Sequence, residues 1–493
     1  MSSVVFDTVV VGGGPRSSGL IAALGRLHSR HRIAVVDPLP DGAGAIWREA
    51  QSPSLLANST ASRIVAGDDP SGGFLGWCRT AAVPVALADE ARSLHADSFP
   101  SRRLVGEYLR AVAAAVDTSV RPRVEVTRIP ARVDSIRERN SVFEIGLAGS
   151  SEGVRGSAVV LATGSAHVEP RAVERRHGVP APLVDVPAGS SVHVTGLGLS
   201  FHDIVSILTE DRGGRYLEGR DAAGDGPWVY LPSGAEPLIT ASSRSGWPIV
   251  PKRTVARGVA LLPLSRSLQS FARERGSEPE HIVVDEIRRQ LHHAGLGSEP
   301  LDALDGAKAA PTDVAAWIAH HASAADSAET ALAAGVIVAT IESFAASVPV
   351  LSARHVEALE RVGSRLTSGP PPTRFRKLDA LVRAGIVRVL TPGTECVAAE
   401  WSVRAYSASP TPPCVFIGHD GEGWDLDADG GVRVDAADNR CVLPSGRRPR
   451  IALLGAASSS PLVAGLPSPS SYPTFVRECD AVVGGLGREI AAA

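Results

Sequence analysis

The sequence has few cysteines and no closely spaced pair of them. Its five cysteines, Cys78, Cys396, Cys414, Cys441 and Cys479, are odd in number and widely separated. This pattern argues against a disulfide framework or a zinc site and favours a reducing, cytoplasmic location. Because no cysteine precedes Cys78, a redox cysteine pair near the start of the chain is also excluded.

The sequence also lacks an excess of charge of either sign. The formal net charge is −3 in 493 residues, and only Lys252, Lys308 and Lys377 are lysines. A nucleic-acid partner is therefore not expected. No apolar signal-peptide core precedes the first predicted strand, and prolines interrupt the uncharged stretch 451–475, so the sequence predicts neither a leader nor a membrane span.

Near its start the sequence does contain a strand, a glycine turn and a helix. Three valines, 9–11, precede three glycines, 12–14, and Pro15 opens a segment with leucines at helical spacing. A second apolar run, 33–36, ends at Asp37, about 20 residues after the glycines. Such glycines admit a pyrophosphate, the helix start stabilises its charge, and the carboxylate binds a ribose. The predicted residues of this dinucleotide site are Gly12, Gly14, Pro15, Ser17 and Asp37.

Two details of this motif and its surroundings leave alternatives open. Ser17 stands where a third glycine is usual, and a glycine turn without a ligand is the alternative interpretation. Polar residues in the long loop after Asp37, and arginines at a predicted helix start, could face a bound ligand, or they could make ordinary turn and solvent contacts. The candidates for the surroundings of a bound ring are Trp47, Gln51, Asn58, Arg102 and Arg103.

A small β-meander is predicted from Arg123 to about Leu147, followed by a buried strand at 159–161. Small residues at the end of that strand let the backbone pass close to a cofactor, or they simply make a turn. The residues predicted to contact a cofactor there are Ala162, Thr163 and Gly164.

The glycine pattern returns in the middle of the chain. A strand at 192–195 precedes a second glycine turn and a helix that begins near Phe201. The next strand, 238–241, is followed by a serine and an arginine, which suit a ribose 2′-phosphate better than a carboxylate would. NADPH is therefore favoured over NADH, although simple solvation would also explain the arginine. The predicted residues are Gly196, Gly198, Ser200, Ser243 and Arg244.

From about Thr254 to Val387 the chain is rich in Ala, Leu, Glu and Arg at helical spacing, which predicts an inserted helical region. Its paired histidines, 292–293 and 320–321, are adjacent, whereas metal ligands on one helix face are three or four residues apart. No metal ligand is therefore assigned. The last block predicts a strand near Arg450, a cofactor-side glycine turn at Gly455 and a helix from Tyr472.

Seven segments carry a family resemblance: GGGPRS at Gly12, DPLPDGAGAIWR at Asp37, QSPSLLANS at Gln51, PSRRLVGEYL at Pro100, LATG at Leu161, VTGLGLSFHD at Val194 and DRGGRY at Asp211. They resemble the FAD/NAD(P)-binding family of flavin-dependent urate hydroxylases and aspartate N-monooxygenases. The resemblance implies an FAD-dependent, NAD(P)H-using monooxygenase that takes a small polar nitrogen-containing molecule and O₂. In such enzymes a hydride reduces the flavin, whose C4a-peroxide then inserts one oxygen.

The expected fold is α/β, with two dinucleotide-binding Rossmann-like domains, the FAD domain discontinuous, and an inserted helical region. Two alternatives for function remain: an FAD-dependent NAD(P)H oxidoreductase without oxygenation, and a cofactor-binding accessory protein that has lost turnover. The predicted domains are 1–188 for FAD, 189–253 for NAD(P), 254–377 for the helical insertion, 378–440 for the return to the NAD(P) and β region, and 441–493 for the C-terminal part of the FAD domain.

Overall fold

The computed structural model divides the chain into two compact units. The first combines Met1–Val168 with Ala408–Ala493, and the second is Glu169–Ser407. These limits differ from the predicted domain boundaries. The assignment of the predicted domains to FAD, to NAD(P) and to the helical insertion remains a prediction. The structure describes residues 4–27, 29–66, 72–80, 83–164, 172–175, 181–219, 226–253, 255–256, 258–273, 279–301, 313–324, 327–347, 353–391, 394, 399–405, 412, 414–427, 430–435, 437–455 and 472–490.

The described residues alternate between helices and strands over most of the chain. The helices are α1 Pro15–Gly25, α2 Phe74–Thr80, α3 Ala88–Ser93, α4 Arg102–Val120, α5 Leu199–Thr209, α6 Ser265–Arg273, α7 Pro279–His293, α8 Val314–Ala324, α9 Ala328–Ser347, α10 Ala353–Thr367, α11 Pro372–Arg383 and α12 Tyr472–Ile490. The strands are β1 Val5–Val11, β2 His31–Asp37, β3 Val124–Pro130, β4 Val133–Arg139, β5 Val142–Leu147, β6 Gly153–Leu161, β7 Ala172–Arg175, β8 Ala181–Pro182, β9 Ser191–Thr195, β10 Arg215–Leu217, β11 Val229–Leu231, β12 Leu238–Ser242, β13 Val387–Val389, β14 Trp401–Arg404, β15 Val415–Ile417 and β16 Ile451–Leu453.

The first unit is built on a parallel layer in which β16, β6, β1, β2 and β3 lie side by side. Val9 and Val10 of β1 are fully buried, because both faces of the layer are covered. Helices α1, α4 and α12 pack on one face, and side chains of β4, β5 and β15 pack on the other. The C-terminal strand and helix therefore complete a unit that begins at the N-terminus.

The predicted meander was wrong in its first strand. β3 pairs in parallel with β2, because α4 precedes it and a helical crossover brings a chain back in the parallel direction. In the predicted meander and the strand that follows it, β4, β5 and the first half of β6 pair antiparallel.

The second unit repeats the parallel arrangement on a smaller scale. Strands β13, β12, β9 and β14 run parallel, and β7 and β8 add an antiparallel edge. The segment RYLEGRDAAGDGPWVYLPSG, 215–234, predicts a hairpin, which is confirmed as β10 and β11. The α/β fold with two Rossmann-like sheets, the first unit discontinuous, is thus confirmed.

The inserted helical region is confirmed as α6 to α10, which follow β12 and precede α11. Helices α6, α7, α9 and α10 share a buried apolar cluster that includes Phe271, Ile287 and Phe344. One stretch within α9, Ala328–Ala345, is long and apolar enough to cross a membrane, with mean hydropathy 1.4 and 39% of its residues buried. Since Phe344 and its neighbours on α9 face that cluster, core packing accounts for this composition.

Candidate functional site

The first glycine turn lies between the ends of β2 and β6. The Gly12 N–H donates to the Val36 carbonyl (2.9 Å), and the Ala162 N–H donates to the Val11 carbonyl (2.8 Å). Gly12 has φ +110°, and a Cβ there would overlap the carbonyl oxygen of Ala162. Only glycine fits this position, for both conformational and steric reasons.

The helix that follows begins without a side-chain cap. Gly14 is the N-cap residue in an extended conformation, Pro15 opens α1, and the first turn carries no acidic side chain. A helix start of this kind, through the direction of its N–H groups and its dipole, can receive an anion such as a pyrophosphate. Ser17 is fully buried and its hydroxyl donates to the Gly14 carbonyl (2.8 Å), so this turn accommodates a serine where a third glycine is usual.

Asp37 ends β2 beside the glycine turn. Its carboxylate accepts hydrogen bonds from the Gly13 N–H (2.9 Å) and from the Leu39 N–H (2.7 Å). These bonds hold the glycine turn against the end of β2. The predicted ribose contact would use the remaining acceptor capacity of the same carboxylate.

Two further predicted segments reach this turn. Ala162 contacts Gly12, and Thr163 and Gly164 follow it, with open space within 4 Å of a Cβ built on Gly164. Gly455 follows β16, and its φ of +100° again requires glycine. A Cβ on Gly455 would lie 3.2 Å from Cδ of Arg16.

Arg16 itself was not singled out by sequence reasoning. Its Nε lies 3.8 Å from Oε2 of Glu478 on α12. Glu478 is buried, and this burial raises the pKa of its carboxyl group, although the Arg16 charge opposes the rise. The signal in the sequence was a cation in the first turn of the helix that follows the glycine turn, but its partner lies near the other end of the chain.

The loop 38–58 runs from the glycine turn to the start of α4. Near its beginning the Gly42 N–H donates to the Gly13 carbonyl (2.9 Å). Near its end Leu56 forms a bridge with Ser101, whose hydroxyl caps α4 by accepting from the Leu104 N–H. The structure therefore places Trp47, Gln51 and Asn58 on one segment, and Arg102 and Arg103 on the helix start that this segment contacts.

Two of these five residues have clear structural roles. Trp47 is 6% exposed and belongs to the core beneath α1 and α4, and its carbonyl lies so close to Gly106 that no Cβ would fit there. Arg102 donates from Nε to the Leu56 carbonyl (3.1 Å) and so fixes the end of the loop.

Other side chains on these segments carry buried polar atoms that are unsatisfied. Arg48 Nε, Gln51 Oε1 and Arg103 Nε are buried, yet none has a hydrogen-bond partner among the described residues. Since buried polar groups in proteins are nearly always paired, such a group indicates that a ligand or water completes the site. Arg48 is one of the polar residues in the loop after Asp37 that could face a ligand, but it was left out of the candidates for the surroundings of the ring.

The second glycine turn repeats the backbone of the first. The Gly196 N–H donates to the Ser242 carbonyl (2.7 Å), and the Ala405 N–H donates to the Thr195 carbonyl (2.8 Å). Gly196 has φ +114°, and Gly198 is the uncapped, extended N-cap residue of α5. A Cβ on Gly198 would meet no atom within 4 Å, so this turn also leaves room for a phosphate.

The side chains beside the second turn differ from those beside the first. Ser200 lies half-buried in the first turn of α5. The Ser243 hydroxyl accepts from the Gly246 N–H (3.0 Å), and Arg244 is exposed. The end of β12 therefore presents a cation where β2 presents the Asp37 carboxylate.

Behind the second turn, α5 carries a buried histidine. His202 lies between the rings of Phe201 and Phe375, and burial lowers its pKa to about 3, with a smaller contribution from the Arg374 guanidinium. Arg374 in turn donates to Glu210 (3.4 Å), which also pairs with Lys377. These contacts fasten α11 to the C-terminal end of α5.

Within the described ranges, no group of three His, Cys, Asp or Glu side chains could hold a metal ion. The paired histidines are 292–293, both exposed, and 320–321, of which only the second is half-buried.

The fold and the two glycine turns together define a class of protein with two dinucleotide-binding units. In agreement, residues 9–166 match the family described as FAD-NAD(P)-binding. The chain is also 33% identical to an L-aspartate N-monooxygenase (nitrosuccinate-forming) of Streptomyces davaonensis, over 48% of this chain and 43% of that protein. A nitrosuccinic acid synthase of Aspergillus oryzae is 32% identical over 50% of this chain and 41% of its own. These matches confirm the resemblance to the FAD/NAD(P)-binding family that contains the aspartate N-monooxygenases.

The chain spans less than half the length of these curated relatives. Among solved structures, the ornithine N-hydroxylase of Kutzneria sp. 744, which was solved with reduced FAD, NADP⁺ and L-ornithine, superposes over 99% of this chain and 100% of its own. The TM-score is 0.51 at 14% sequence identity. At that identity the likeness supports the fold alone.

Proposed function

We propose that this protein is an FAD-dependent, NAD(P)H-using monooxygenase that acts on a small polar nitrogen-containing molecule. One observation carries the proposal: the chain builds the same uncapped glycine turn twice, at the end of β1 and at the end of β9. A flavin and a nicotinamide nucleotide are the pair of cofactors for which two such turns in one chain are useful.

In this proposal the first unit holds FAD. The Gly12–Gly14 backbone and the start of α1 bind the pyrophosphate, Arg16 supplies a cation in the first turn of that helix, and Asp37 binds the ribose. Ala162, Thr163, Gly164 and Gly455 line the path of the cofactor. When bound and reduced, the flavin supplies the electrons that activate O₂.

The second unit holds NADPH. Gly196, Gly198 and Ser200 receive the pyrophosphate, while Ser243 and Arg244 receive the 2′-phosphate. Because Arg244 is exposed, Arg244→Ala should leave stability unchanged, lower the affinity for NADPH by roughly tenfold and leave the affinity for NADH unaffected. The matched control is the exposed Arg266→Ala on α6, which should change neither affinity.

The relatives named above act on or form small amino-acid derivatives, and their substrate class is the one we propose here. Arg48 and Arg103 suit the carboxylates of such a molecule, and the Gln51 carbonyl suits its amino group. The buried unsatisfied atoms of these three residues support this assignment. Their part is to orient the amine and to exclude water from it.

Purified protein tests the proposal. With FAD supplied, we expect a yellow protein whose NADPH oxidation rises when L-aspartate or a similar small amino acid is added, together with an N-oxygenated product. Steady NADPH oxidation without that product would instead identify an oxidoreductase without oxygenation. A colourless protein with no affinity for FAD would favour the other alternative, an accessory protein that has lost turnover.

A further inference from the structure

A cluster of aromatic rings lies on the second unit and has no role in the proposal so far. The Trp317 ring on α8 stacks on His321, with ring centres 3.9 Å apart, and it meets Trp247 edge to face at 6.1 Å. Phe375 of α11 backs Trp317 at 5.9 Å and is fully buried. Trp247, Trp317 and His321, the aromatic cluster, are each only half-buried.

The aromatic cluster is tied to the second glycine turn through the loop that follows β12. In this loop the Ile249 N–H donates to the carbonyl of Leu197, which stands between the two glycines of the turn (3.2 Å). Trp247 precedes Ile249 by two residues, so at most about 7 Å of chain separates it from the residue that is bonded to the turn. The end of the second strand of such a unit is where the adenosine half of a dinucleotide lies.

A half-buried cation, Arg253, follows Trp247 by six residues in the chain segment after β12. Burial lowers the pKa of Arg253, although the Glu299 charge opposes the shift. Burial lowers the pKa of His321, and the Arg253 charge adds to that shift. In the part of the chain that the structure describes, Arg253 makes no hydrogen bond or ion pair, so its guanidinium remains available to an anion.

We propose that Trp247 stacks on the adenine ring of the pyridine nucleotide, that Trp317 and His321 support Trp247 from behind, and that Arg253 binds a phosphate of the same nucleotide. This proposal rests on the proposed function, since it assigns the adenosine half of NADPH to that site. It also gives the helical region a role, because α8 supplies two of the three rings.

Adenosine 2′,5′-bisphosphate, which contains the adenine and the 2′-phosphate but neither nicotinamide nor any redox group, tests the proposal by calorimetric titration. Base stacking on an aromatic residue is a substantial part of affinity, so Trp247→Leu should weaken binding roughly tenfold or more, while Trp247→Phe keeps most of it. Arg253→Gln should weaken binding by a similar factor. The matched controls are Trp228→Leu, at a half-buried tryptophan on the β10–β11 hairpin, and Arg266→Gln on α6; neither should alter binding.

A fluorescence titration keeps the test decisive if Trp247→Leu does not fold. The nucleotide should quench the tryptophan emission of the wild type and of Trp317→Phe, but not that of Trp247→Phe. Equal affinity in wild type and Trp247→Leu, or quenching that survives Trp247→Phe, would show that the aromatic cluster is packing alone and would overturn the inference. If the wild type fails to bind the bisphosphate while NADPH still reduces the flavin, this inference fails and the proposed function stands.

Discussion

The two glycine turns have nearly the same backbone and different surroundings. In each turn, the N–H of the first glycine donates to a carbonyl at the end of one neighbouring strand. The N–H of an alanine that follows the other neighbouring strand donates to the carbonyl just before that glycine. A Cβ on Gly12 would overlap the carbonyl oxygen of Ala162, whereas a Cβ on Gly196 would lie 2.9 Å from the carbonyl oxygen of Ala405. The first turn is therefore the more tightly closed of the two. On the proposed function, the shared backbone pattern receives a pyrophosphate in each turn, and the neighbouring side chains determine which nucleotide each turn binds.

The side chains nearest the two turns illustrate this difference. Asp37 turns back to bond the glycine turn itself, while Ser243 bonds forward within its own loop and leaves the exposed Arg244 beside it. At matching positions in the two helices, α1 carries Ser18 and α5 carries His202, both buried and neither with a side-chain hydrogen-bond partner in the described residues. Only the histidine can become charged at moderately acidic pH.

The largest expected effect is on stability, and it compares alanine substitutions at the first glycine of each turn. Gly12→Ala should destabilise its unit by about 3 kcal/mol or more, because it adds a clash with Ala162 to an unfavourable φ. Gly196→Ala has the same unfavourable φ but a weaker contact, so it should cost about 1–3 kcal/mol. Chemical denaturation of both variants measures the difference. A larger loss for Gly196→Ala would contradict the tighter closure of the first turn.

The next largest expected effect is on nucleotide affinity, which should differ between the two turns. Gly14 and Gly198 both have ordinary φ values near −90°, and a Cβ meets only Gly44 at 3.6 Å in the first turn and nothing in the second. Alanine should therefore fold at either position but stand in the way of the pyrophosphate. We expect Gly14→Ala to lose FAD, and Gly198→Ala to lose NADPH alone, each at least tenfold in dissociation constant.

The control for this pair is Gly484→Ala on α12, where a Cβ would likewise meet no atom within 4 Å. It should bind both nucleotides normally and melt at or slightly above the wild-type temperature, since alanine favours a helix. If Gly14→Ala and Gly198→Ala lose the same nucleotide, or if neither loses any, the assignment of one cofactor to each turn is wrong.

The smallest expected effect is a difference in acid sensitivity between the two units. The pKa of His202 is about 3 in the folded state against 6.5 in a model peptide, so its stability contribution is present above pH 6.5 and decreases as the pH falls. At about pH 5.5 the loss should be about 1.4 kcal/mol. His202→Leu should remove this pH dependence, as measured by unfolding at both pH values. An unchanged slope in that variant would place the acid sensitivity elsewhere.

Features that depend on the local sequence alone could be predicted. Gly12 and Gly196 could be identified because a turn between a strand and a helix needs glycine at its first position, and Pro15 because it begins helices. The hairpin of β10 and β11 and the helix from Tyr472 follow from patterns within single segments.

Contacts between distant segments were not predictable in this way. β3 was assigned to a meander because its own alternation does not reveal that its partner is β2. Arg16 and Glu478 come from opposite ends of the chain, and only the return of α12 to the first unit brings them together. The unsatisfied atoms of Arg48 and Arg103 become apparent only when the loop 38–58 is seen against α4. The sequence also predicts a loop between the glycine turn at Gly455 and the helix from Tyr472; its residues, 456–471, lie outside the described residues.

The most direct test of the account is to mix the FAD-loaded protein with NADPH in the absence of oxygen and to follow the visible absorption of the flavin. If the chain carries one nucleotide on each glycine turn, the yellow colour should disappear in the wild type and persist in Gly198→Ala, which should still contain FAD. Persistence of the colour in the wild type, despite bound FAD and saturating NADPH, would contradict the claim that electrons pass from one nucleotide to the other in this protein.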